Sequence, residues 1–102
     1  MGGVNLRGAL LYNTWLVSAR MQNAQFADAI AEKVILYGSQ LNGADFTNAD
    51  LRGAELDEAD LQRANFTNTD LRQATLIGTK LMDARFDGAK LDGTKFPAGF
   101  KP

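Results

Sequence analysis

The sequence predicts an all-β solenoid with four-sided coils, and the spacing of its apolar residues supports this fold class. Large apolar residues recur at every fifth position from Leu6 to Phe96, and 18 of these 19 central positions are Leu, Phe or Met. A period of five fits neither the turn of an amphipathic helix nor the alternation of an ordinary strand. A short, fixed period instead indicates a repeat architecture in which each unit packs on the next.

The phenylalanines report the length of one coil. Phe26, Phe46, Phe66 and Phe86 are separated by 20 residues, so four five-residue units make one coil and the rings should form a core ladder. Neighbouring coils would lie at about the 4.8 Å spacing of paired strands, which suits stacked rings. The residue two places before each central position is usually Ala, Thr or Ser, as expected where four narrow sides leave little interior room.

Tight corners are predicted two residues after each central position. Seven of the ten glycines occupy this corner position, which also holds six Asn or Asp residues. These residue types tolerate the positive φ of a tight turn better than others do. The central, small-residue and corner positions therefore indicate the same coil independently.

The repeated pattern A-(D/N)-(L/F)-x-x is clearest in ADFTN ADLRG AELDE ADLQR ANFTN TDL at residues 44–71, and it resembles the pentapeptide-repeat family. The resemblance implies a right-handed quadrilateral parallel β-helix of about 4.75 coils over residues 4–98, with 20 residues in each coil. Residues 99–102 would form a C-terminal tail in which Phe100 caps the last coil. The ending TKFPAGFKP is similar to that of cyanobacterial members of the family.

Residues 24–43 carry the weakest form of the repeat. Residues 25–37 also fit helical spacing, but an inserted helix would have to preserve both the five-residue and the 20-residue periods by accident. We therefore expect the coils to continue through this segment. Ala31 is the one central residue without a large side chain, so a bulge or local defect is expected at residues 29–33.

Composition excludes several kinds of site. The chain has 102 residues and no Cys, so it can form neither a disulfide framework nor a thiolate metal site. It contains no apolar run of about 18 residues, the length that a membrane helix needs. The opening Met-Gly-Gly has neither a basic region nor an apolar stretch, so we expect no signal peptide and a cytoplasmic location.

Few residues are available for catalysis. The sequence has no His, its only serines (Ser18 and Ser39) fall at a corner and in a small-residue position, and its glycines form no phosphate-binding loop. Four acids directly precede successive central residues and should point outward from four different sides as solvated surface: Asp45, Asp50, Glu55 and Asp60. A rod filled by its own side chains also offers no concave pocket. The sequence predicts a non-enzymatic protein with no cofactor or metal.

Direct nucleic-acid binding is not expected either, because a net charge of −1 leaves no sustained basic surface. The family resemblance raises a different function, since its mycobacterial fluoroquinolone-resistance and Qnr members resemble duplex DNA and act on DNA gyrase. Residues 44–63 form an acidic belt of six acids against two bases. The belt spans only one coil, so a DNA-mimic regulator of gyrase is the alternative function.

The most informative residues are apolar ones at positions that should face water. Seven of them flank the central residues of the first two coils: Leu10, Tyr12, Trp15, Val17, Ile30, Ile35 and Tyr37. The 20-residue count places them on two adjacent sides, where later coils carry charged residues. A contiguous apolar surface of this kind usually marks an interaction site. The sequence therefore predicts a structural rod that contacts other proteins.

Two occupants of this surface are consistent with the sequence. The first is a second copy of the chain, which would give a homodimer joined at the N-terminal coils. The second is an N-terminal element of a longer protein that would cover the same residues. The identity of any other protein partner is left open by the sequence.

Overall fold

The computed structural model describes residues 3–102 as a four-sided rod that measures 31 × 21 × 20 Å. Its successive coils comprise residues 4–23 (coil 1), 24–43 (coil 2), 44–63 (coil 3), 64–83 (coil 4) and 84–98 (coil 5). These described residues contain no helix and no continuous strand. Instead, one residue in each five-residue unit pairs in parallel with the residue one coil later, from Asn5↔Gln25 to Thr75↔Lys95. The predicted parallel β-helix is confirmed.

The four sides of the rod are numbered here by the residues that form these bridges. Side 1 carries Asn5, Gln25, Asp45, Asn65 and Arg85; side 2 carries Leu10, Ile30, Asp50, Asp70 and Lys90; side 3 carries Trp15, Ile35, Glu55, Thr75 and Lys95; side 4 carries Arg20, Gln40, Asp60 and Lys80. Bridge residues point outward, and the central residue that follows each of them points into the rod.

Backbone hydrogen bonds run along the rod axis between successive coils. The Leu6 N–H donates to the carbonyl oxygen of Gln25 at 2.7 Å, and the Gln25 N–H donates to that of Val4 at 2.8 Å. Each corner is closed within its own coil, as by the bond from the Ala9 N–H to the Leu6 carbonyl oxygen at 3.0 Å. Interior coils therefore have a bonded neighbour on both edges.

Every corner from Gly8 to Gly93 has a positive φ at its second turn residue, which is the conformation that a type II turn requires. The corner prediction from Gly, Asn and Asp is confirmed. Residues with no such preference adopt the same conformation at Ser18, Lys33, Glu58, Arg63 and Gln73. At these corners the pairing between coils, rather than local preference, decides the backbone conformation.

The core is a set of stacked columns. On side 1 the Phe26, Phe46 and Phe66 rings are buried and nearly parallel, with successive centroids 4.8 Å and 5.0 Å apart. The Phe86 ring continues the column 5.0 Å from Phe66. Leucines fill the other columns and are fully buried at positions 36, 41, 51, 56, 61, 71 and 76. Ring stacking at the coil spacing thus follows directly from the 20-residue period.

The bulge expected at residues 29–33 does not form, so this prediction is wrong. Ile30 bridges to both the preceding and the following coil, and the Ala31 N–H donates to the Asp50 carbonyl oxygen at 2.8 Å. The small volume of Ala31 is only part of this layer of the core. Val34, three residues later, is a fully buried β-branched residue in a small-residue position. A larger neighbour therefore replaces the volume that Ala31 lacks, and coil 2 stays regular.

The C-terminal residues fold across the end of coil 5. The last turn is displaced by one residue, because the Phe100 N–H donates to the Pro97 carbonyl oxygen at 3.1 Å, with a positive φ at Gly99. The Phe100 ring then lies 5.8 Å from the Phe86 ring and 5.3 Å from the Phe96 ring. Phe100 thus packs over the end of the phenylalanine column.

Candidate functional site

Six of the seven apolar residues identified from the sequence are exposed on the first two coils. Leu10 and Trp15 have the largest exposed fractions, 78% and 74%. Ile35 is only partly exposed, and it pairs with Trp15 in the coil before and Glu55 in the coil after. The seven residues together are called the N-terminal patch: Leu10, Tyr12, Trp15, Val17, Ile30, Ile35 and Tyr37.

The patch wraps around an edge of the rod. Leu10 pairs with Ile30 on side 2, and Trp15 pairs with Ile35 on side 3. Tyr12 stands at the corner between these two sides. Because the rod is nearly square in cross-section, the two halves of the patch face roughly perpendicular directions.

The apolar area of the patch is large for a protein of this size. With 150–250 Å² for each aromatic side chain, the exposed fractions of Tyr12, Trp15 and Tyr37 correspond to roughly 350 Å². Leu10, Ile30 and Val17 add to this area. The patch therefore reaches the upper part of the range of about 300–600 Å² for the largest patch on a typical monomer.

The outward-facing aspartates have a structural role that the sequence analysis missed. The Asp45, Asp50 and Asp60 carboxylates each accept a hydrogen bond from the backbone N–H two residues later, at 2.9, 3.2 and 3.1 Å. Asn65 and Asp70 accept the same bond. Such a contact satisfies the first N–H of the corner and resembles an Asx turn. This bond explains the D/N of the repeat pattern.

Side 2 carries two arginine–aspartate pairs. Arg52 donates from Nε and Nη2 to the Asp50 carboxylate at 2.9 and 2.8 Å, and Arg72 binds Asp70 in the same way. The guanidinium hydrogen bonds lower the pKa of the Asp50 and Asp70 carboxyl groups. An open groove of about 420 Å³ follows this corner of the rod. The two guanidinium groups that line it, those of Arg52 and Arg72, are already paired with the Asp50 and Asp70 carboxylates.

Two exposed apolar residues lie outside the N-terminal patch. Ile77 is 50% exposed and Met82 is 69% exposed, both in coil 4. Ile77 occupies the same corner column as Val17 and Tyr37, and the 20-residue count is the signal that could have found it. Met82 stands at the next corner, beyond side 4. Apolar exposure therefore extends past the first two coils.

Residues 3–102 contain neither a cluster of three potential metal ligands nor a candidate membrane-spanning helix. No three of their acidic side chains lie close enough together to hold a metal ion. The same residues include no helix with the length and hydropathy needed to cross a bilayer.

Comparison with known proteins places the repeat in context. The family model for pentapeptide repeats matches eight copies, over residues 5–43, 36–68 and 59–96. A trypsin-treated form of QnrB1, a plasmid-mediated fluoroquinolone resistance protein, is 26% identical with a TM-score of 0.61; the match covers 88% of this chain and 46% of that one. HetL, a pentapeptide repeat protein involved in heterocyst differentiation regulation from the cyanobacterium Nostoc sp. strain PCC 7120, is 28% identical with a TM-score of 0.50; coverage is 96% and 53%.

A further pentapeptide repeat protein from Nostoc PCC 7120, alr5209, is 31% identical with a TM-score of 0.60, and the match covers 95% of this chain and 77% of that one. The chain spans about half the length of QnrB1 and HetL. No curated protein sequence matches it significantly. These similar structures are right-handed quadrilateral β-helices, which confirms the predicted handedness. The eight repeats between residues 5 and 96, and the coil they build, show that this chain belongs to the pentapeptide-repeat family.

Proposed function

We propose that this chain is a non-enzymatic rod that contacts protein through the N-terminal patch. The proposal rests on a difference in residue type between the early and the later coils at equivalent positions on side 2. Coils 3 and 4 place Asp50 and Asp70 there, and their carboxylates accept backbone N–H groups at the corner. Coils 1 and 2 place Leu10 and Ile30 there, which expose hydrocarbon and cannot accept that bond. Exposed hydrocarbon is unfavourable in an isolated rod, and contact with another apolar surface would remove it from water.

The rest of the chain supports contact rather than catalysis. Phe26, Phe46, Phe66 and the leucine columns fill the interior, so no cavity is left to enclose a substrate. The sequence has no His and no Cys, and the outward aspartates serve the corners. A flat, solid surface with apolar and charged regions is suited to binding another macromolecule.

The occupant we favour is a second copy of the chain. A two-fold axis crossing side 3 between coils 1 and 2 would set Trp15 of each copy against Ile35 of the other. The same operation would set Val17 against Tyr37. Aromatic anchors surrounded by aliphatic groups are typical of the cores of protein interfaces. Coils 1 and 2 present only about 10 × 20 Å on side 3, less than the roughly 800 Å² that a standard interface buries on each partner, so this homodimer should form only at high protein concentration.

Light scattering tests this proposal through the mass of the protein in solution. The wild-type chain should have twice the monomer mass at high micromolar concentration, and Trp15→Asp should be monomeric. Lys95→Asp is the matched control, because Lys95 is exposed on the same side in coil 5 and lies outside the patch. A monomeric wild-type chain would overturn the homodimer and favour cover by another segment of a longer protein.

A second candidate function is regulation of DNA gyrase by a DNA mimic. It is favoured by the 26% identity to QnrB1, a fluoroquinolone resistance protein, and by the acids of coil 3. Against it, the acidic belt spans one coil and Asp50 in it is paired with Arg52. A supercoiling assay with purified gyrase, with and without a fluoroquinolone, tests whether this chain regulates the enzyme. Inhibition or drug protection would support this function, and unchanged supercoiling under both conditions would rule it out.

A further inference from the structure

We propose that side 3 docks an amphipathic helix from another protein, with apolar side chains at both ends of its contact stripe and a lysine or arginine in the middle. This inference rests on the proposed function as a protein-contact rod and names the chemistry of a partner. The docking surface consists of side 3 with the corner that follows it and is called the side 3 strip: Trp15, Val17, Ile35, Tyr37, Glu55, Asp57, Thr75, Ile77, Lys95 and Pro97.

Exposed apolar residues lie on both sides of the centre of the strip, although the strip also contains Thr75 and the exposed Lys95. Trp15 and Tyr37 expose aromatic surface in coils 1 and 2, and Ile77 exposes aliphatic surface in coil 4, with Pro97 partly exposed in coil 5. Side 1, by contrast, carries only polar or charged bridge residues along its whole length. Side 3 is therefore the side on which apolar contact extends over most of the rod.

The centre of the strip is acidic and lacks a counter-ion. Glu55 and Asp57 lie in coil 3, and neither has a cationic group within 4.0 Å in the described part of the chain. The Asp57 carboxylate is held in place, since it accepts hydrogen bonds from Thr75 Oγ1 at 2.7 Å and the Ile77 N–H at 2.9 Å. A fixed, uncompensated anion between apolar groups selects a cation at the matching point of a partner.

The rise of the coils fits a helix better than a strand. Successive coils stand about 5 Å apart, as the ring centroids of 4.8 and 5.0 Å show. Residues on one face of a helix recur every 3.5 residues on average, or about 5.3 Å, whereas those on one face of a strand recur at about 6.7 Å. A helix of roughly 15 residues lying along the rod axis would place one side chain on each coil.

A second copy of the chain is a poor occupant of the whole strip. Antiparallel docking of side 3 over its full length would set Glu55 and Asp57 against the same residues of the other copy, and like charges in contact are destabilising. The homodimer proposed above uses only coils 1 and 2. It would share Trp15 and Tyr37 with the helix, so the two partners should compete.

Binding of a designed peptide tests the inference directly. The probe is a fluorescently labelled helical 18-residue peptide with five contact positions spaced four, three, four and three residues apart. Its third contact position carries lysine and the other four carry leucine; a matched peptide carries glutamate at the third position. Fluorescence anisotropy should show at least tenfold tighter binding of the lysine peptide, weakened by salt. Equal affinities for the two peptides, or binding of neither, would overturn the proposal.

Variants of the chain locate the site. Ile77→Asp should weaken the lysine peptide at least tenfold, whereas Met82→Asp, an exposed apolar residue of the same coil at the next corner, should not. Asp57→Asn should remove most of the preference for lysine over glutamate. Ile77→Asp lies outside the N-terminal patch and should leave the solution mass unchanged, so loss of the homodimer and loss of peptide binding are separable. Equal effects of Ile77→Asp and Met82→Asp would place the peptide elsewhere and refute the assignment.

Discussion

The Thr69 hydroxyl donates a hydrogen bond to the carbonyl oxygen of Phe46, in the preceding coil, at 2.7 Å. Ser39 and Thr94 make the same contact with the coils that precede them, at 2.8 and 2.7 Å. All three occupy the small-residue position, which is alanine in most repeats. A hydroxyl group there links two coils from inside the rod without leaving a buried donor unpaired.

Thr69→Val should therefore lower the free energy of unfolding by roughly 1 kcal/mol, because it removes the donor and keeps the shape of the side chain. The loss should stay near this value, since the Phe46 carbonyl oxygen also accepts the Ala49 N–H at 2.9 Å. Urea unfolding measures the effect. Thr69→Ser keeps the hydroxyl and should be closer to wild type in hydrogen bonding; a greater loss for Ser than for Val would assign the effect to packing of the methyl group.

Phe66→Ala should be among the most damaging core substitutions. The ring is fully buried between Phe46 and Phe86, with centroids 5.0 Å away on each side. Its removal should cost roughly 3–5 kcal/mol, from lost burial and the cavity that remains. Phe86→Ala should cost less, because Phe86 is partly exposed. Phe26→Ala should cost about as much as Phe66→Ala, because Phe26 is also buried in a regular coil. A smaller loss for Phe66→Ala than for Phe86→Ala would contradict the assignment of the phenylalanine column.

The coil itself was predictable because its signals are local and repeated. Phe66, for example, belongs to the five-residue period and the 20-residue period at once, and any other fold would need both by coincidence. The corner signal at Gly78 is equally direct, since glycine adopts a positive φ at little steric cost. Redundancy of this kind is why one sequence was enough to recognise the architecture.

Contacts between coils were not predictable in the same way. Val34 makes up for Ala31 only because the coil brings both into one layer of the core. Lys33 adopts a positive φ against its own preference because the coils on either side impose it. The 20-residue count places Asp57 and Ile77 in one column, but it does not show that the Asp57 carboxylate turns toward the Ile77 N–H. Each of these features depends on a side-chain packing or backbone conformation that residue spacing alone does not specify.

Gly78→Ala and Gly38→Ala should destabilise the rod by nearly equal amounts. The two glycines share one corner column and have similar φ values, +73° and +67°, so the cost of a positive φ should be nearly equal for both. A Cβ at Gly78 would meet only the carboxylate end of the exposed Glu58 side chain, which can swing aside, and one at Gly38 would stand 3.5 Å from Ser18 Oγ, an ordinary contact. Urea midpoints compare the two variants. A clearly larger loss for Gly78→Ala that disappears when Glu58→Ala is added would refute this expectation and show that the carboxylate cannot move away.

Acid should weaken the fold through Asp50 and Asp70. Their carboxyl pKa values lie below the ordinary 3.8 in the folded protein, chiefly because Arg52 and Arg72 donate hydrogen bonds to them. Their contribution is therefore present above pH 3.8 and is lost as the pH falls through the lower folded pKa values. Both pairs are open to solvent, so the contribution of each to stability is small. Urea midpoints at pH 7 and pH 2.5 should show a shallower decline for the variant Asp50→Asn with Asp70→Asn than for wild type. Asp87→Asn, at the more exposed pair with Arg85, is the control; an undiminished decline in the double variant would refute the assignment.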